Sequence, residues 1–139
     1  MTTYAVTGAT GKLGRLVLDD LLEQTDAANV VALARDPTAL QAYDQKGVQV
    51  RKADYDDPAS LKAALQGVDR VLLISGNAVG QRERQHGAVI DAAKEAGVSY
   101  LAYTSILKGD QSPLPLATEH AATEKLLADS GLNYDVLRN

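Results

Sequence analysis

Three glycines, Gly8, Gly11 and Gly14, fall at three-residue intervals in the segment AVTGATGKLG, a spacing suited to holding a diphosphate. The first permits a tight turn, the second lets main chain approach a pyrophosphate with no Cβ in the way, and the third lets the next helix lie close on the sheet. A helix opening at this point offers unpaired N–H groups and the positive end of its dipole to phosphate oxygens. The second chemically suggestive residue is Arg35, at the end of the run VVALARDP. In a βαβ dinucleotide-binding unit that position meets the adenosine ribose, where an acidic side chain selects NAD and an arginine accommodates the 2′-phosphate of NADP. A guanidinium can grip a phosphate with two parallel hydrogen bonds and stack on adenine, so NADPH is the expected ligand. Asp36 could meet a free ribose instead, but capping a helix before Pro37 is its simpler role. Lys12 either adds positive potential beside the phosphates or is an exposed loop lysine.

These residues need a scaffold, and the hydropathy pattern supplies one. Apolar, β-branched runs at residues 4–7, 30–34, 48–52, 70–74, 100–104 and 134–137 read as strands, several of them continuously apolar as strands buried on both faces are. Helical stretches alternate with them. The first follows Gly11 with Leu13, Leu16, Val17 and Leu21 expected on its buried face. Asp36-Pro37 opens the second and Asp57-Pro58 the third, Asp as cap and Pro at the first helical position. The third is expected to end at Gly67. The fourth, residues 81–96, turns Val89, Ile90 and Ala93 inward and stops at Gly97; the fifth, residues 116–129, carries Leu126 and Leu127 and stops at Gly131. Residues 108–115 read as a loop. The fold expected is an α/β Rossmann doubly wound parallel sheet, six strands in the order 3-2-1-4-5-6 with five helices on both faces, in one domain over residues 1–139.

Composition removes other classes of function. The chain of 139 residues has no cysteine and only two histidines, His86 and His120, without metal-ligand spacing, so no metal site is expected. A net charge of -4 with both signs interspersed argues against a nucleic-acid partner. No apolar run approaches the about 18 residues of a membrane span, and the start MTTYAVTGAT has no signal-like pattern, which reads as cytoplasmic. Six tyrosines are the whole aromatic complement, so the core must be aliphatic.

Taken together, VTGATGKLG, VVALARDP, VRKADYDDPASLKAALQGVDRVLLIS, GQRERQHGAVIDAAKEAGV, LAYTSI and ATEHAATEKLLADSGLNYDVLRN resemble the NmrA-like branch of the atypical short-chain dehydrogenases/reductases, over the whole chain. Its quinone-reducing members are the nearest in pattern. The resemblance implies NADPH bound along the carboxyl ends of the strands and hydride transfer to a quinone. By matching positions, it implies cofactor contacts from Gly8, Thr10, Gly11, Lys12, Leu13, Gly14 and Arg35, from Asp54 and Tyr55 near adenine, and from Leu73, Ile74 and Ser75 under the ribose. Tyr103, Thr104 and Ser105 would lie near the nicotinamide.

The departures from the pattern carry as much information. Typical short-chain dehydrogenases place Tyr-x-x-x-Lys on the fifth helix, where this chain reads EHAATEK, with His120 and Glu124 one turn apart. Tyr103 and His120 are the candidate catalytic residues, Tyr103 facing nicotinamide or quinone and His120 giving a proton while Glu124 orients it. Their ordinary alternatives are a strand tyrosine with its hydroxyl at the rim and a helix-surface histidine. For His86 a structural hydrogen bond is the expected use, for Arg82 and Arg84 a solvated face, and for Ser75 either the cleft or a turn. The resemblance also implies a further substrate-covering lobe, so the chain is expected to be a truncated or engineered cofactor-binding half. Apolar surface around Leu107, Leu114 and Leu116 would then be uncovered and favour a homodimer. Three readings stay open: an oxidoreductase, a non-catalytic dinucleotide-sensing module, and a ligand-free engineered scaffold.

Overall fold

The run VVALA forms strand β2 (Val30–Ala34), with every residue buried. It lies between β1 (Tyr4–Val6) and β3 (Gln49–Lys52), and β1 in turn pairs on its other side with β4 (Arg70–Leu73). Strands β5 (Tyr100–Ser105) and β6 (Tyr134–Arg138) complete a sheet in the order β3-β2-β1-β4-β5-β6, parallel throughout. The computed structural model describes residues 2–74, 82–105 and 115–138, in the last two stretches without the side chains of 82, 83, 105, 115–121 and 138. The expected strand order is therefore the observed one, with strand ends displaced by a residue.

Parallel strands need long crossovers, and here they are helical. On one face lie α1 (Lys12–Gln24) and a tight 3₁₀ turn, Pro37–Leu40, that runs on into α2 (Gln41–Asp44). On the other lie α3 (Pro58–Ala64), α4 (Arg82–Ala96) and α5 (Pro115–Ser130), with α4 packed between its two neighbours. Alternate strand residues feed the two layers. Ala5, Val31, Leu33, Val71, Leu73 and Leu101 pack with Leu61, Val89, Ile90, Ala93 and Leu127, while Val6, Val30, Ala32 and Ala34 pack with Leu18, Leu40 and Tyr43. Among the described residues no helix is long and apolar enough to cross a membrane.

The caps read from sequence are in place. Asp36 accepts from Thr38 N at 3.1 Å and from the Thr38 hydroxyl at 2.6 Å, and Asp57 accepts from Ser60 N at 3.4 Å. Two expectations need correction. Helix α3 ends at Ala64, three residues before Gly67, because Leu65 leaves the helical region and a turn carries the chain into β4. The buried stripe of α1 is Gly14 and Leu18, with Val17, Leu21 and Leu22 half-buried; Leu13 and Leu16 are 40% and 59% exposed. The helix is rotated because Gly14 rests on the loop before it, and at roughly 100° per residue Leu16 then falls about 160° from the contact line.

Candidate functional site

Because β1 pairs with both β2 and β4, and the crossovers after β1 and β4 pass to opposite faces, a crevice opens at their carboxyl ends. Thr7, the residue after β1, holds that edge together. Its N–H donates to Leu72 O at 3.0 Å, and its Oγ1 accepts from Ile74 N at 2.9 Å. The Tyr55 hydroxyl lies 3.0 Å from Thr7 Oγ1 and 3.2 Å from the carbonyl of Ile74, with one proton to donate. Burial pushes the Tyr55 phenol up, and the Thr7 contact offsets part of that.

The glycine loop crosses the same edge. Gly8 takes φ +60°, a left-handed conformation that other residues rarely adopt, and Gly11 N donates back to Gly8 O at 3.1 Å. A Cβ on Gly14 would come within 2.4 Å of Gly8 O and 2.7 Å of Ala9 Cα, main-chain atoms that cannot swing aside. Helix α1 thus begins pressed against the loop. Gly11 is its N-cap, so no side chain caps it, and no carboxylate stands in its first turn. The first N–H groups of the helix point out of its end with no side-chain acceptor among the described residues, an arrangement that fits an anion.

From there a cleft of about 350 Å³ runs toward β3. Gly8, Thr10 and Gly11 line its glycine-loop end, Leu33, Ala53 and Leu61 give it an apolar floor, and Arg35, Asp54 and Asp56 stand at the far end. Arg35 is exposed and makes no hydrogen bond or ion pair with the described residues. Asp56, by contrast, is engaged: Arg84 Nη2 lies 2.7 Å from its Oδ1, and Gln85 Nε2 donates to the same oxygen at 3.3 Å. The Arg84 and Gln85 hydrogen bonds, with the positive charges of Arg84 and Arg35 behind them, hold the Asp56 carboxyl below the usual carboxylate range.

The structure brings Gly8, Thr10, Gly11, Arg35, Asp54, Tyr55 and Ile74 together on this cleft. Gly14 stands behind the loop, Lys12 and Leu13 are exposed at the start of α1, Leu73 is fully buried in the core, and Thr104 is buried at the end of β5. Ser75 lies outside the described residues, as do Leu107 and Leu114. Ser105 and His120 are placed in β5 and α5, and Leu116 in α5, but their side chains lie outside them too. The rim position expected for Tyr103 is corrected. Its ring is fully buried, 5.3 Å from the His86 ring in an edge-on contact, because it points from β5 into the layer beneath α4 and α5. His86 is itself buried, with Nδ1 2.9 Å from Thr123 Oγ1, the structural use expected of it. Arg84 belongs to an ion pair as well as to a solvated face.

Thr7, Asp56 and Gln85 also line the cleft and were not among the expected residues. Thr7 could have been found as the last residue of the first strand, and Asp56 as the neighbour of Asp54 and Tyr55. Gln85 carries no signal, since only the packing of α4 against the loop before α3 brings it there.

Comparison with known proteins agrees with this geometry. A family model described as NAD(P)H-binding matches residues 8–139. Quinone oxidoreductase 2 of Escherichia coli strain K12 is 55% identical over 135 residues, 97% of this chain and 47% of that protein. An NmrA-like family domain-containing oxidoreductase of Aspergillus flavus is 36% identical over 97% of this chain and 46% of its own length. The crystal structure of the NADPH-dependent quinone oxidoreductase of Escherichia coli complexed with NADPH superposes with a TM-score of 0.95 at 54% identity, covering 99% of this chain and 48% of that one. The chain thus spans about half the length of the curated relatives it matches. A glycine loop laid against an uncapped helix end, at the switch point of a sheet in the order β3-β2-β1-β4-β5-β6, is what such proteins need to hold a dinucleotide, and this chain belongs to the NAD(P)H-binding family as a domain related to quinone oxidoreductases.

Proposed function

We propose that the chain binds NADPH in preference to NADH, with Arg35 receiving the 2′-phosphate, and that the whole protein uses the bound cofactor to reduce a quinone. One observation carries the first part: an exposed guanidinium at the adenosine end of the cleft, with no hydrogen-bond or ion-pair partner among the described residues. The Escherichia coli structure that holds NADPH, at 54% identity, supports it. The uncapped end of α1 and the Gly8 to Gly11 turn hold the pyrophosphate, while Leu33, Ala53 and Leu61 shield one side of the adenine from water. When bound, NADPH supplies a hydride. A conjugated quinone ring accepts it, and a proton from solvent completes the hydroquinone, so the missing Tyr-x-x-x-Lys acid does not exclude the reaction.

A second reading, dinucleotide holding without turnover, is favoured by the burial of Tyr103, whose ring packs against His86 in the core. Fluorescence titration with NADPH and NADH, followed by absorbance at 340 nm with a simple quinone added, separates the two. Tighter binding of NADPH with quinone-dependent consumption supports the reductase. Saturable binding without consumption leaves the holding reading, and equal affinity for the two cofactors refutes the 2′-phosphate assignment.

A further inference from the structure

Arg84 stands in the first turn of α4, where the helix dipole disfavours a cation, so helix stability does not account for it. What it does in space is reach across to the loop between β3 and α3 and take Oδ1 of Asp56 at 2.7 Å. Gln85, one residue on, donates to that oxygen as well. Asp56 lines the same end of the cleft as Arg35 and lies within the reach of its charge. A carboxylate in that position has two ways to undo the selection of a 2′-phosphate: it can pair with the Arg35 guanidinium, or it can repel the phosphate directly. Arg84 and Gln85 hold one oxygen of that carboxylate and offset its charge, which weakens both.

We infer that Arg84 is a specificity-determining residue for the dinucleotide, acting through Asp56: by occupying that carboxylate it leaves Arg35 available to the 2′-phosphate. This rests on the NADPH preference proposed above. Arg84 need not touch the cofactor. It is a positioning residue that offsets the Asp56 charge at the adenosine end, where the formal balance of Arg35, Asp54, Asp56 and Arg84 is zero and that of the first three alone is one negative charge. Removing it weakens the pull of that end on the extra phosphate without abolishing it, since Arg35 remains.

The test is a set of four variants, Arg84→Ala, Asp56→Ala, the double substitution and Arg35→Ala, each titrated with NADPH and NADH at low salt. Both members of the ion pair are about half exposed, with side-chain exposures of 56% and 53%, so the effect belongs to the exposed-pair range. Arg84→Ala is expected to weaken NADPH about two- to fivefold while leaving NADH unchanged or tighter. The double variant should recover the affinity and selectivity of Asp56→Ala, because without the carboxylate the route from Arg84 to the 2′-phosphate is gone. An equal loss for both cofactors in Arg84→Ala would show that the pair merely staples the loop to α4, and overturn the inference. So would a double variant as weak for NADPH as Arg84→Ala. If Arg35→Ala lowers selectivity and Arg84→Ala does not, this inference fails alone; if Arg35→Ala leaves selectivity untouched, the reading beneath it fails too.

Discussion

At the scale of single residues the site is a matter of which polar groups are already engaged. Asp54, Asp56 and Tyr55 have partners within the protein, whereas Arg35 has none among the described residues, so its full hydrogen-bonding capacity is left for a ligand. A hydrogen bond to a charged group contributes about 1.5–3 kcal/mol, and Arg35→Ala is accordingly expected to weaken NADPH by about tenfold or more, with NADH far less affected. Isothermal titration of both cofactors checks this. Tyr55 yields a prediction with a definite sign. Its folded pKa is raised above the ordinary 10.0, chiefly by burial, so the neutral phenol is favoured by folding. That contribution is fully present below pH 10 and is lost as pH rises through the folded pKa. Urea midpoints measured across the alkaline range should therefore fall more steeply for the parent chain than for Tyr55→Phe, which has no proton to lose at that position.

The elements show where local sequence signals suffice and where they do not. Asp57-Pro58 opens α3 as its residue types dictate, since Asp accepts the free N–H of Ser60 and proline has none to leave unpaired. Asp57→Ala should cost about 1 kcal/mol in a urea denaturation curve, and Asp57→Ser much less. Helix α1 behaves differently. Its apolar residues are spread widely enough to offer more than one inward stripe, and the pattern of Leu13, Leu16, Val17 and Leu21 does not contain the fact that Gly14 must touch Gly8 and Ala9. That contact rotates Leu18 inward and Leu16 outward. Gly14→Ala should lower stability by roughly 1–3 kcal/mol, the overpacking range, and weaken NADPH with it, because the methyl can be accommodated only by lifting the helix end off the phosphate loop. A variant with parental stability and parental affinity would refute the contact.

For the whole molecule, the proposed cofactor cleft and the fold share one structural edge, so binding is expected to be visible as stability. NADPH at a hundredfold excess over its Kd should add about 2.7 kcal/mol to the unfolding free energy, and a urea midpoint that ignores the cofactor would contradict the site. The six strands, their alternation with helices, the caps at Asp36 and Asp57, and the glycine turn were all legible in the chain, because each follows from short-range causes: apolar periodicity, a missing Cβ, a missing N–H. So was the position of Arg35, since the apolar run VVALA that forms β2 ends one residue before it. What the linear order could not contain was the meeting of distant segments. Only the packed structure turned Tyr103 under α4 beside His86, brought Gln85 and Arg84 against Asp56, and closed Tyr55 onto Thr7. Those contacts join residues 17 to 48 positions apart, and which of them form depends on how helices settle against the sheet, a choice made by the sum of many side-chain volumes rather than by any one motif.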